Sequence, residues 1–342
     1  MYYPNRGRLT YPYPPPAMWQ TPQQQEENRL KKTANAIGFA MMAVVVIMFS
    51  LQFIMLPILR AMNLMDYQNL YNGYSGIDPI AYYLMSGVIS VTSMFIPFLV
   101  VIKATKTDVR EIFPFERTKA GVLIACVCVG LAVCMYANFA ADQWISNLRS
   151  VGIQQNYPDS PFDNNPISIA LDVITVSLLP AFFEEFAFRG FILGSLRRHG
   201  DGFALIVSSF LFGIMHGNLV QIPFAFVVGL ALGSVVLHTN CLWTAVLIHF
   251  FNNFYASMTG VVHNLWGYDA YILLSYACML FFFLAGFIGF LYLLRKKEKF
   301  LTFQNKGILP FKRKIKAVAS APGLIVAFVL LGLETVIMLF AL

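Results

Sequence analysis

The sequence predicts an all-α, polytopic transmembrane bundle with an active site inside the membrane. Two observations predict the bundle. Of 342 residues 58% are hydrophobic and only 12% charged, with a mean hydropathy of +0.65, against about 25% charged residues in ordinary soluble domains. Apolar runs near the ~20 residues needed to cross ~30 Å of hydrocarbon recur at 34–59, 80–102, 120–141, 166–196, 202–217, 219–237, 241–260, 270–294 and 318–342. The third observation concerns the site. PAFFEEFAFRG, residues 180–190, sets Glu184, Glu185 and Arg189 inside one of these runs.

The runs give about nine spans, or eight if 202–217 and 219–237, divided only by Gly217 and Asn218, form one broken or re-entrant element. Four segments follow. Residues 1–32, with YPYPPP and QTPQQQEEN, read as a disordered, proline- and glutamine-rich cytoplasmic tail. Residues 33–119 hold the N-terminal helices, 120–262 a catalytic membrane core, and 263–342 the C-terminal helices with a basic loop.

Lysine and arginine collect on cytoplasmic loops, and this distribution orients the chain. With the N-terminus inside, the cytoplasmic segments hold Arg6 to Lys32, Lys103 to Lys119, Arg197 with Arg198, and Arg295 to Lys316, together 21 of the 24 basic residues. Arg60 and Arg149 fall outside, and Arg189 lies within a span. The net charge of +7 thus reads as topology and contact with anionic membrane lipids, not nucleic-acid binding. The five cysteines fall in predicted spans without a CxxC pair, which points to packing rather than to disulfides or a thiolate metal site.

An ionisable group at the centre of a span costs about 2.5–3.5 kcal/mol on insertion scales, so such groups face a cavity or each other. Glu185 and Arg189 are four residues apart on one helical face and can pair. Glu184 points about 100° away and is left for another partner. Pro180 removes a backbone hydrogen bond beside it. Candidate partners are His216 in SSFLFGIMHG, and His249 with Asn253, four apart on one face, in LIHFFNNFYA. At 1.5 Å per residue, Glu184 lies about 20 Å from Arg197, His216 about 22 Å from Asp201, and His249 and Asn253 about 15 and 20 Å from Asn240. All fall in one layer of the membrane.

Glu184-Glu185-x-x-x-Arg189, Phe212-x-x-x-His216 and His249-x-x-x-Asn253, in this order and in separate spans, resemble the three motifs of the CPBP (Abi) family of intramembrane proteases, which includes the type II CAAX prenyl endopeptidases. The resemblance covers roughly residues 120–260. It implies peptide hydrolysis, with prenylated C-terminal tripeptides as eukaryotic substrates and peptides or membrane proteins as substrates of bacterial-type members. The plain polytopic layout suits a bacterial plasma membrane.

Chemistry assigns roles beside that resemblance. Amide hydrolysis needs an activated water, a proton donor for the leaving amine and donors for the oxyanion. Glu184 is the expected base, His216 orients the water, His249 and Asn253 supply oxyanion donors, and Glu185 with Arg189 holds the helix. Glu184, His216 and His249 also suit catalytic zinc, with water in the fourth position, although no HExxH is present; metal-free catalysis is set slightly ahead. Competing readings are a scaffold or immunity-type membrane protein on the same fold, and a transporter, for which no inverted repeat is evident. Ala225, Gly229 and Gly233 form a small-residue stripe for close helix packing. Asp172 and Glu334 are further intramembrane carboxylates, and His199, His238 and His263 sit at helix ends, all without an assigned role.

Overall fold

A computed structural model describes residues 20–65, 76–152, 163–296 and 302–340. The helices are α1 (Pro22–Ala61), α2 (Pro79–Ala104), the short α3 (Val109–Ile112), α4 (Ala120–Ser150), a fourth span made of α5 (Pro166–Asp172), α6 (Leu179–Glu185) and α7 (Gly194–Arg197), then α8 (Asp201–Ile214), α9 (Gln221–Thr239), α10 (Leu242–Arg295), α11 (Phe311–Ala319) and α12 (Pro322–Phe340). Wide π-helical turns, Val173–Leu178 and Phe186–Leu193, join α5 to α6 and α6 to α7. Large apolar side chains cover the outer surface, as with Phe53 at 81% and Leu273 at 73% exposure. That surface suits a hydrocarbon solvent, and the chain is a multi-pass membrane protein.

Helix starts follow local chemistry. Thr21 and Gln24 form a reciprocal capping box with Pro22 in the first turn of α1, which satisfies two orphan donors. Asp78 and Asn165 cap α2 and α5, each followed by proline. α1 therefore begins inside the stretch expected to be tail, and residues 22–32 are helical. Glu26 explains part of this, because its carboxylate accepts the Ile308 and Leu309 amides at 2.7 and 3.1 Å. Residues 1–19 of the expected tail lie outside the described residues.

Among the described residues six helices are long and apolar enough to cross a membrane, or seven when the bent pair α11–α12 counts as one span. This is fewer than the eight or nine read from the sequence, for two reasons. First, the count takes the runs 241–260 and 270–294 as one 54-residue helix, α10, although the chain leaves helical geometry at Gly267, with φ 83° and ψ −178°, and the two halves remain the two separate apolar segments expected from the sequence. Ile248 lies against Gly130 and Asn252 reaches Asn138, whereas Gly286 meets Ala132 and Gly289 meets Ala125. The register on α4 rises along the first half of α10 and falls along the second, so the helix folds back. Second, α8 has only 14 residues, about 21 Å, too short to cross.

The basic loops gather at one end of the bundle. The Leu242 amide donates to the Pro114 carbonyl at 2.7 Å and the Asp201 amide to the Gln304 carbonyl at 3.0 Å. Arg197 reaches Asn240 at 2.6 Å, and buried His199 pairs with Glu26 at 3.2 Å. Lys314 donates to the His199 carbonyl, while Arg313 pairs with Glu27 at 3.1 Å. The start of α1, the 105–119 loop, the α7–α8 turn and residues 302–316 thus share a face, as the charge distribution requires.

Small residues set the helix spacing in the core. A Cβ added at Gly229 would lie 3.0 Å from Ser209 Cβ, and one at Gly233 2.5 Å from Leu205 Cδ1. The Ala225-Gly229-Gly233 stripe of α9 therefore brings α8 close, as its spacing predicts. None of the five cysteines forms a disulfide, and all are buried or half-buried.

Candidate active site

The fourth span separates the two glutamates. Glu185 is fully buried, and its Oε1 accepts from Arg189 Nη1 at 2.8 Å and from His249 Nδ1 at 2.8 Å. Arg189, 1% exposed, also donates to the Gly229 carbonyl at 3.3 Å and stacks its guanidinium 4.3 Å above the Phe212 ring. One carboxylate, one guanidinium and one imidazole thus form a buried network that joins the fourth span to α10, with Glu185 Oε2 left without a hydrogen-bond partner. The pairing expected from the i, i+4 spacing is present, with His249 as an added partner.

Glu184 turns the other way. Its carboxylate is about a fifth exposed, and Oε2 lies 3.9 Å from His249 Nε2. Two cavities, of about 340 and 390 Å³, both reach Glu184, Phe212 and His216. The first opens between α1, α2 and α12, the second between α4, α9 and α10. Glu184 therefore stands at the wall where they meet, open to a ligand from either side.

Both histidines have a fixed tautomer when neutral. A carbonyl or carboxylate only accepts, so His216 Nδ1–H donates to the Phe212 carbonyl at 2.9 Å and His249 Nδ1–H donates to Glu185. Each then presents Nε2 as an acceptor, the orientation that an anchored Nδ1 gives to ligating or water-binding histidines. Phe212 sits between them, edge-on to His216 at 5.1 Å and to His249 at 5.9 Å.

Asn253 lines the second cavity with Glu184, His216 and His249. Its Nδ2 donates to the Val176 carbonyl at 3.2 Å. That carbonyl is four residues before Pro180, which has no N–H to offer it. The asparagine replaces the donor that proline removed. Asn138 donates to Asn252 at 3.1 Å and Asn252 to Asn253 at 3.3 Å, so three amides point their hydrogens in one direction toward Val176. Asn138 and Asn252 were missed as site residues; only the adjacency of Asn252 to Asn253 marked either of them. One amide hydrogen of Asn253 remains for the cavity.

The other intramembrane carboxylates are also placed. Asp172 accepts from Ser257 and lines a separate cavity of about 350 Å³ with Tyr83 and Ser168. Glu334 lines the first cavity with Glu184 and His216. Of the histidines without a role, His199 forms the contacts described above and His263 lies edge-on to Tyr268 and Tyr271.

The donor types of Glu184, His216 and His249 suit zinc, since both anchored histidines present Nε2. In this arrangement, however, no three His, Cys, Asp or Glu side chains among the described residues are placed to hold one ion together.

Comparison with known proteins adds an independent line. Residues 166–255 match the family model described as type II CAAX prenyl endopeptidase Rce1-like. The chain is 23% identical over 185 residues, 53% of its length and 75% of the relative's, to the "Putative membrane peptidase YdiL" of Bacillus subtilis (strain 168). No solved structure matches the chain significantly. The matched segment contains Glu184, Glu185, Arg189, His216, His249 and Asn253, so all six candidate site residues lie in the part of the chain that is similar to this family.

Proposed function

We propose that this protein is an intramembrane endopeptidase of the CAAX-protease type that hydrolyses peptide bonds of membrane-associated peptides or proteins. The observation that carries the reading is the division of labour between adjacent glutamates. Glu185 is buried and committed to Arg189 and His249, while Glu184 faces two cavities, 3.9 Å from His249 Nε2. The similarity to membrane peptidases supports the same reading.

In the proposed mechanism Glu184 takes a proton from water as the water oxygen attacks the scissile carbonyl carbon, and later gives that proton to the leaving amine. His216 Nε2 accepts from the water's second hydrogen and so aims its lone pair. The free Asn253 amide hydrogen donates to the oxyanion. His249 joins it as the second donor whenever its Nε2 carries a proton, with Nδ1 held in place by Glu185. Arg189 holds the Glu185 carboxylate in place. Zinc, if bound by Glu184, His216 and His249, would supply a Lewis acid and a more acidic water.

We place the protein in a bacterial plasma membrane with its N-terminus in the cytoplasm, on the charge distribution and the gathering of basic loops at one end. The test uses the full chain in lipid nanodiscs and a library of quenched apolar peptides. Wild type should release fluorescence, and Glu184→Gln should lower the rate by about 10² to 10⁴ without lowering the melting temperature. Full activity in Glu184→Gln would overturn the assignment. Activity that survives exhaustive chelation leaves Glu184 as direct base, whereas loss restored by zinc makes it a ligand.

A further inference from the structure

Glu334 is 8% exposed, on α12, outside the segment that matches the peptidase family. Its Oε2 is buried without a hydrogen-bond partner, although its side chain lines the cavity of about 340 Å³ that ends at Glu184 and His216. Glu185 also has an unpartnered Oε2, but its Oε1 is held by Arg189 and His249, and Asp201 is held by Arg197 and the Gln304 amide. No contact of that kind holds Glu334 among the described residues, and of the three only Glu334 faces the cavity. A buried charge or acceptor left unpaired is costly. No lysine or arginine lines this cavity.

The position of the carboxyl is built into the backbone. It lies against Gly217, the residue after His216, where a Cβ would sit 2.6 Å from Glu334 Cδ. Gly217 has φ +63°, which strains any other residue and leaves bare backbone for the carboxyl to approach. The rest of the wall is a band of apolar side chains such as Val44, Met48 and Ile89, with Ser86, Ser90 and Ser93 along α2. One end of the cavity is therefore acidic and next to His216 and Glu184, and its sides are apolar.

We propose that Glu334 is a specificity residue that receives a cationic group, an ammonium or guanidinium, carried by an apolar peptide whose scissile bond lies at Glu184. This rests on the endopeptidase reading above. A lysine or arginine side chain and a free amino terminus share the required chemistry. Either one completes the unpaired oxygen with a charge-assisted hydrogen bond while the flanking apolar residues lie along α1 and α2.

The experiment uses the full chain in phosphatidylcholine nanodiscs, where the lipid carries no net charge. Fluorescent apolar peptides differ at one position, Lys against Gln, each with a free or an acetylated amino terminus. Binding by anisotropy and kcat/KM for cleavage are measured on wild type and Glu334→Gln. The cationic peptide should bind wild type at least about tenfold tighter than its neutral twin. That ratio should fall to near one in Glu334→Gln, with the neutral peptide unaffected. Acetylated lysine peptides that keep the preference identify the side chain, and free-terminus glutamine peptides that show it identify the amine. The melting temperature of Glu334→Gln should match or exceed wild type, because an unpaired buried charge has been removed. Equal ratios in the two proteins, no discrimination by wild type, or a much lower melting temperature in Glu334→Gln would each overturn the proposal. Discrimination in binding without any cleavage would refute the endopeptidase reading and leave the cation site standing.

Discussion

Glu185→Gln isolates the part of the site that has no exposure to either cavity. The substitution keeps the shape of the side chain and removes its charge. Arg189, 1% exposed, then keeps a neutral amide oxygen, the Gly229 carbonyl at 3.3 Å and the Phe212 ring at 4.3 Å, but no counter-charge. Breaking one half of a buried pair costs about 3–5 kcal/mol, and the remaining cation–π contact offsets about 1–2 kcal/mol of that when desolvated. A net loss of about 1–4 kcal/mol lowers the melting temperature on the order of 1–6 °C for a chain of this length. Fluorescence-detected size exclusion after heating reads this directly. Arg189→Leu should show a similar loss, since it strands the Glu185 carboxylate with His249 alone. The double variant, Glu185→Gln with Arg189→Leu, should recover most of the stability because neither charge remains. It should not recover hydrolysis, because the carboxylate that orients His249 Nδ1 is still missing. Single variants that melt with wild type, or a double variant that melts below both, would refute the network as described.

Asn253→Ala removes the donor to the Val176 carbonyl and should cost about 1 kcal/mol; adding Pro180→Ala restores an N–H four residues on, so the double variant should melt above the single one. Reporter fusions at Lys106 and Lys306 should both read cytoplasm, as the loops that carry them share one end of the bundle with Glu26 and Asn240; an external signal at either would refute the orientation. Burial holds the His199 imidazole below its ordinary pKa, partly opposed by Glu26. The unfolded chain therefore binds more protons there, and stability contributed at neutral pH should be lost as pH falls below about 6.5. In melting curves that acid-side slope should shrink in His199→Gln, and an unchanged slope would show that His199 does not carry it.

How much of this was legible in the residues depends on how local each relation is. Glu185 and Arg189 are one turn apart and both ionisable inside an apolar run, so their pairing and the opposite aim of Glu184 follow from helix geometry alone. The layer shared by Glu184, His216 and His249 needs only the rise per residue and the positions of basic loops. The span count was less accessible, because apolarity does not report where a helix stops. The run through Ile214 and His216 continues in composition, yet α8 ends after 14 residues before Gly217 at φ +63°. Nothing in composition shows whether Gly267 ends a helix or folds one back, since that is decided by which residues of α4 each half meets.

The least legible relations join distant positions through one unsatisfied atom. Pro180 announces in the sequence that the Val176 carbonyl will lack its α-helical donor, but not that Asn253, 77 residues later, will supply one. The same logic extends along Asn252 to Asn138, 114 residues from Asn252. The proline, three amides and the wide turn at Val173–Leu178 therefore act as one device. It opens the fourth span one turn before Glu184 and ties that opening to the helix that carries His249. Because the tie runs through the first half of α10, a change in the Val176 contact must displace His249 relative to Glu184 or be absorbed by bending α10 between Asn253 and Ile248. The close contact of Ile248 with Gly130 on α4 resists that bending, so the path from Pro180 to the 3.9 Å gap between Glu184 and His249 has little slack.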